Sequence, residues 1–184
     1  MNDIMKQNRR FVKEMKQRNT DYFLNLSKGQ SPEIFLISCT DSRVSPSVIM
    51  QMPLGKLFVH RNIANQVNEN DDSFNASLYY ALKHLNVKKV VILGHTGCGG
   101  IQAAQQIDPN DSLEVESFRN WITHVHQSIK GHNETSSYQL EKENVIQQMK
   151  ILKGHPIYVK YGNSVDVEGY LFHLETGELE VLSY

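Results

Sequence analysis

Cysteine is scarce in this chain: two residues in 184, Cys39 and Cys98. Two cysteines can close at most one disulfide, and a chain of this size without an export signal is expected to keep them as thiols, buried or bound to metal. Long hydrophobic runs are missing too. The apolar runs are as short as VVIL at 90 to 93, against the roughly 20 residues that a membrane helix requires. The first residues, MNDIMKQNRRFVKEMKQ, are charged throughout and lack an apolar signal core, so a cytoplasmic protein without a membrane partner is expected. There is no excess of one charge: 19 basic side chains face 20 acidic ones, for a net charge of -1. Nucleic-acid surfaces carry a basic excess that displaces counterions from phosphates, so no nucleic-acid partner is implied. No repeat, low-complexity tract or linker divides the sequence. A 40% hydrophobic content over 184 residues suits one globular domain with a genuine core.

The patterning gives strands that alternate with helices. EIFLISC (33 to 39) and KKVVILGH (88 to 95) are apolar without alternation, as strands covered on both faces are, and KLFVH (56 to 60) is of the same type. From Asp3 to about Leu26, Ile4, Phe11, Val12, Met15, Phe23 and Leu24 fall near helical spacing, predicting an amphipathic helix or a broken pair. Further helices are predicted at SPSVIMQM from Pro46, at 72 to 85 with Asp72 or Ser73 as cap, at IQAAQQI after Gly100, and at 112 to 130 and 136 to 153. PIYVKYG and VDVEGYLFHLETGELEVLSY follow, with a hairpin turning at TGE. The expected fold class is therefore α/β: a mostly parallel central sheet flanked by helices, with an N-terminal helical arm and a C-terminal antiparallel hairpin.

In such sheets ligands collect beyond the carboxyl ends of the strands. Cys39 ends one strand, and the next apolar strand stops just before His95 in GHTGCGG (94 to 100). Cys39, His95 and Cys98 are thiolate and imidazole donors of the kind that bind zinc. Spacing alone leaves three readings open: a zinc half-site, two buried thiols beside a hydrogen-bonded core histidine, and a glycine-rich anion nest. The nest lacks both GxGxxG and GxxxxGK[ST]. CTDSR at 39 to 43 favours the metal, because Asp41 and Arg43 follow the first cysteine at two and four positions and can pair bidentately beside a metal-bound water.

With CTDSR and HTGCGG together, the sequence resembles the β-class carbonic anhydrases, whose signature pairs C-x-D-S-R with H-x-x-C-G-G. The likeness extends through GQSPEIFLISCTDSRVSPSVI, LGKLFVHRNIAN, SLYYALKHLNVKKVVILGHTGCGG, ENVIQQMKILK and the terminal hairpin. It implies one zinc per chain on Cys39, His95 and Cys98, with Asp41 and Arg43 as the catalytic dyad and Asp41 able to take the fourth position in a closed state. It further implies substrate contacts from Gln30, Phe58, Ile63, Tyr80 and Gly99. The implied activity is reversible hydration of carbon dioxide to bicarbonate and a proton by zinc-bound hydroxide. Hydrolysis of CS2 or COS, or non-catalytic zinc binding, are the alternatives on the same scaffold. The implied partner is a second copy: a homodimer or larger even-numbered homo-oligomer, with residues 1 to 30 as an arm packing on the partner and 31 to 184 as the catalytic domain.

Departures from the family are informative. A secondary bicarbonate site known in some members is built from Trp, Arg and Tyr, and the matching positions here read Leu36, Arg61 and Phe172. Bicarbonate inhibition of that kind is expected to be weak or absent. His173 stands where the family usually has aspartate. No residue announces itself as the proton shuttle among His60, His84, His124, His126, His132, His155 and His173.

Overall fold

The apolar runs at 33 to 39 and 88 to 95 become neighbouring inner strands of one sheet in a computed structural model that describes residues 3–107, 115–131 and 136–183. They are β1 (Ile34–Cys39) and β3 (Lys89–His95), buried along almost their whole length, as their lack of alternation predicts. β2 (Leu57–Asn62) pairs with β1, β4 (Asp166–Phe172) with β3, both in parallel, and β5 (Leu179–Leu182) closes the sheet antiparallel to β4. The strand order is β2-β1-β3-β4-β5. Register sets Phe35, Leu36 and Ile37 beside Val90, Val91 and Ile92. The pleat then sends Phe35, Ile37, Val90 and Ile92 into one apolar cluster, and Leu36, Val91 and Leu93 into another on the opposite side.

The helices fall near their predicted places. They are α3 (Pro46–Ile49), α4 (Asp72–Tyr79), α5 (Gly99–Gln106), α6 (Glu116–Ile129), α7 (Ser137–Gly154) and a short α8 (Pro156–Tyr161). The start predicted at 112 for α6 falls on residues outside those described. Two local details differ from expectation. The cap of α4 is Asp71 rather than Asp72 or Ser73: its Oδ1 accepts from the Ser73 and Phe74 N–H groups at 2.9 and 3.2 Å, a reach open to an extended residue one step before the helix. The same helix is not uniform to Leu85. It widens at Tyr80–His84 into a π-helical turn, closed by Leu85 N donating to Tyr80 O at 3.0 Å.

The chain divides into two compact units, Met1–Ser31 and Pro32–Tyr184. In the first, the expected amphipathic segment is a broken pair, α1 (Asp3–Arg18) and α2 (Tyr22–Leu26), joined by an edge contact of Phe11 on Phe23 with centroids 5.9 Å apart. No residue of α1 is buried. Among the described residues no helix is long and apolar enough to cross a membrane.

Candidate active site

Sheet topology creates the site. From β1 the chain turns outward to β2 and then crosses back to β3 on the other side of β1, so the connections leaving β1 and β3 diverge. A crevice opens at the carboxyl end of such a pair. Cys39 is the last residue of β1 and His95 the last of β3, within that strand rather than just past it. Three residues on, Cys98 precedes α5 as its N-cap. Gly97 makes the return possible by taking φ +64°, a left-handed backbone open to glycine at little cost. Gly100 allows a close approach, since a Cβ there would lie 2.6 Å from Ile63 Cγ2.

The three candidate donor atoms lie within 4.8 Å of one another, all from buried residues, and form the one such group found among the described residues. His95 Nδ1 faces the Thr96 carbonyl at 2.9 Å. A carbonyl only accepts, so Nδ1 carries the proton and Nε2 presents its lone pair. Nε2 is buried and has no hydrogen-bond partner, a costly state for a polar atom unless a metal takes the lone pair. The Cys98 thiol beside Cys39 drives the Cys39 thiol well below its ordinary value, and Cys98 is pushed up in return. Burial alone would push His95 down, but the Cys39 sulfur, the Thr96 carbonyl and the Asp41 carboxylate together bring it up. The donor set and the orphaned nitrogen fit a metal ion.

Asp41 and Arg43 meet as predicted in geometry. Arg43 Nε donates to Asp41 Oδ1 at 2.9 Å and Nη2 to Oδ2 at 2.7 Å, while the Arg43 N–H adds a third bond to Oδ1 at 2.9 Å. The guanidinium holds the Asp41 carboxyl far below the usual carboxylate range. Asp41 Oδ2 is 3.8 Å from His95 Nε2, and Arg43 Nη2 reaches on to the Gly97 carbonyl at 3.1 Å. Arg61 fixes the same loop from below: its guanidinium donates to the carbonyls of Cys39, Asp41 and Val44 at 2.8 to 3.0 Å. The arginine left over from the secondary bicarbonate pattern is thus occupied with backbone. Leu36 is fully buried, and Phe172 packs with it.

A cleft of about 270 Å3 adjoins the donors, lined by Cys39, Thr40, Asp41, Ile63, Gly99, Gly100 and Phe118. Ile63 and Gly99 are therefore on its wall. Phe58 and Tyr80 are not; they stack on each other at 5.8 Å, with Phe58 resting on Phe35 at 5.8 Å, and Tyr80 stays 44% exposed. Gln30 lies exposed in the N-terminal unit, outside the unit that carries the site. None of the shuttle candidates among the described residues lines the cleft. His126 donates to the Ala104 carbonyl, His155 bonds Asn75 and His173 bonds Glu180; His132 lies outside the described residues. His173 has thus found an acid on β5, which also takes Tyr138 and Lys142 at 2.8 and 2.7 Å.

Phe118 and Glu141 escape the sequence reading. Phe118 stands in the first turn of α6. Glu141 is an acid at 3% exposure whose Oε1 accepts the Cys98 N–H at 3.0 Å, and burial pushes its carboxyl up. The one available signal was helical spacing: Glu141, Asn144 and Gln148 share a face of α7 with apolar neighbours.

Together, the sheet order and the clustered donors define an α/β protein with a site that could hold a metal ion at its topological switch point. The family model for carbonic anhydrase matches residues 34–179, and the chain belongs to that enzyme family, in its β class. The carbonic anhydrase of Emericella nidulans is 33% identical over 98% of this chain and 82% of its own length. That of Candida albicans is 33% identical over 97% of this chain and 66% of its own. Among solved structures, a tetrameric β-carbonic anhydrase from Sordaria macrospora superposes with TM-score 0.87 at 28% identity, covering 98% of this chain and 95% of that one. The β-carbonic anhydrase CafA of Aspergillus fumigatus gives 0.88 at 30%, covering 98% and 89%.

Proposed function

We propose that this protein catalyses the zinc-dependent, reversible hydration of carbon dioxide to bicarbonate and a proton, with one zinc per chain on Cys39, His95 and Cys98. The observation that carries the reading is the orphaned His95 Nε2, buried beside two sulfurs and 3.8 Å from a carboxylate that Arg43 already holds. Two thiolates and an imidazole are zinc donors, and three protein ligands leave a fourth position open. Zinc bound there would supply the Lewis acidity that makes a nucleophile of water near neutral pH.

The chain's own residues do the rest. Asp41, kept anionic by Arg43, only accepts, so it orients the O–H of the attacking water and leaves a lone pair aimed at carbon. Both Asp41 oxygens are engaged by Arg43, which favours Asp41 as an acceptor for that water rather than as a metal ligand. Ile63 and Phe118 give linear, apolar CO2 a dry wall. Gly99, at the start of α5 and on the cleft wall, would offer its N–H to the oxygen on which negative charge develops.

The working unit is a homodimer or a larger even-numbered assembly. Three features support this reading: the tetrameric Sordaria relative, a helix α1 that buries none of its residues, and Phe58 with Tyr80 placed apart from their own chain's cleft. The arm packs on the partner, and those two aromatics, with Gln30, complete a cleft across the interface. Thiols that must stay reduced suit a cytoplasmic setting.

Stopped-flow CO2 hydration from about pH 6 to 9, with metal content on the same sample, tests the reading. Zinc at one per chain with turnover is expected. A zinc-loaded protein inert to CO2 throughout would overturn it, and turnover of COS or CS2 in its place would move the assignment to hydrolysis.

A further inference from the structure

Helix α7 buries three polar side chains on one face, Glu141, Asn144 and Gln148, at 3%, 1% and 0% exposure. Each is bound to backbone that leads to the metal donors. Glu141 Oε1 accepts the Cys98 N–H at 3.0 Å and the Ser137 hydroxyl at 3.1 Å. Asn144 Nδ2 donates to the Ala64 carbonyl at 3.1 Å, and its Oδ1 accepts from Gln66 Nε2 at 2.8 Å. Gln148 Oε1 accepts the Val67 N–H at 2.7 Å, and its Nε2 donates to Ser128 Oγ at 2.8 Å.

Ala64 is the connecting residue. It stands at φ 64°, ψ 27°, a left-handed backbone that a residue with a Cβ leaves unless held. Its carbonyl is held by Asn144 and by Gln66 Nε2 at 2.7 Å. Its N–H donates to Cys39 Sγ at 3.4 Å. Released, the turn would relax toward negative φ and swing that N–H off the sulfur.

We propose that α7 is the scaffold of the metal centre, with Asn144 and Glu141 as positioning residues for its two sulfur donors. Asn144 acts through Ala64 on Cys39, and Glu141 acts through the backbone of Cys98. Gln148 belongs to the same network, since its Nε2 also donates to Asn144 Oδ1 at 3.3 Å and to Gln66 Oε1 at 3.2 Å, so the internal control is Asp71, the cap of α4, which bonds neither these residues nor the donors. The proposal rests on the metal reading above. Partners that orient metal ligands typically set metal affinity within about 10- to 100-fold.

The test uses the full-length protein loaded with cobalt(II), whose sulfur-to-metal charge-transfer band reports on the two thiolates directly, together with the rate of zinc loss to a chelator. Asn144→Ala and Glu141→Ala should shift the band and speed zinc loss about 10- to 100-fold. Glu141→Gln, which keeps an acceptor for the Cys98 N–H, should restore both. Asp71→Ala, which removes only the cap of α4, should lower the unfolding midpoint while leaving band and rate near wild type. Asn144→Ser stands in if the alanine variant does not fold. A band and rate that track the unfolding midpoint equally in all variants would overturn the proposal. A wild-type protein that takes up neither cobalt nor zinc would overturn the metal reading instead.

Discussion

Arg43 holds both carboxylate oxygens of Asp41, at 2.9 Å from Nε and 2.7 Å from Nη2, and thereby keeps the carboxylate at the mouth of the cleft with its Oδ2 3.8 Å from His95 Nε2. Its worth lies in orientation, since an exposed ion pair contributes little stability. Asp41→Asn should lower kcat/KM by about 10²-fold or more, as loss of a positioned acceptor does, with zinc content unchanged. Arg43→Leu should cost a similar factor. If the two act as a unit, the double variant loses little beyond either single one. Zinc lost in step with activity would instead make Asp41 a metal ligand.

Metal removal gives a second expectation. Without an ion, His95 Nε2 stays buried without a hydrogen-bond partner beside the Cys39 and Cys98 sulfurs. Zinc held by the folded donors and not by the dispersed ones would, at about 100 times its Kd, add about 2.7 kcal/mol to stability. Thermal unfolding at fixed protein concentration, with and without chelator, reads this directly. Identical midpoints would deny the site its metal.

The strands and the three donors were legible because their signals are local. β1 and β3 are unbroken apolar runs, and Cys39, His95 and Cys98 sit at their ends in two short motifs. The support around them was not. Residue type marks Glu141 and Asn144 as solvent-facing, and their place on the apolar face of α7 does not reveal the backbone groups they satisfy, which only the folded loops bring near. Phe58 and Tyr80 stand apart from their own chain's cleft because β2 is an edge strand and carries Phe58 away from the crevice between β1 and β3. At the start of α4, DDS offers three competent side chains in a row, and only backbone geometry chooses Asp71 over Asp72 or Ser73.

That choice can be checked. Asp71 Oδ1 takes two otherwise unpaired N–H groups, so Asp71→Ala should cost about 1 kcal/mol in urea unfolding, and Asp72→Ala a few tenths or less. Equal losses would mean that the helix start shares its cap between the two acids.

The buried histidines set the acid side of the stability profile. Burial pushes His60, His124 and His155 below their ordinary value. The unfolded chain binds protons to them at about pH 6.5, so below that pH the unfolded state holds more protons than the native one. Stability is then fully present above about pH 6.5 and falls as the pH drops through it. Glu141, pushed up by burial, acts in the opposite sense above its unfolded value, so the informative quantity is a difference between variants. His155 offers the cleanest one. Its Nδ1 accepts the Ile157 N–H at 3.2 Å as the cap of α8, and its Nε2 donates to Asn75 Oδ1 at 3.1 Å. The first bond requires the neutral ring, because a proton on Nδ1 would face the Ile157 N–H, whereas the second survives protonation. His155→Asn keeps a capping oxygen and removes the titration. Its metal-saturated form should lose less stability between about pH 7.5 and 5.5 than the wild type does, and equal losses would show that protonation of His155 is not coupled to unfolding.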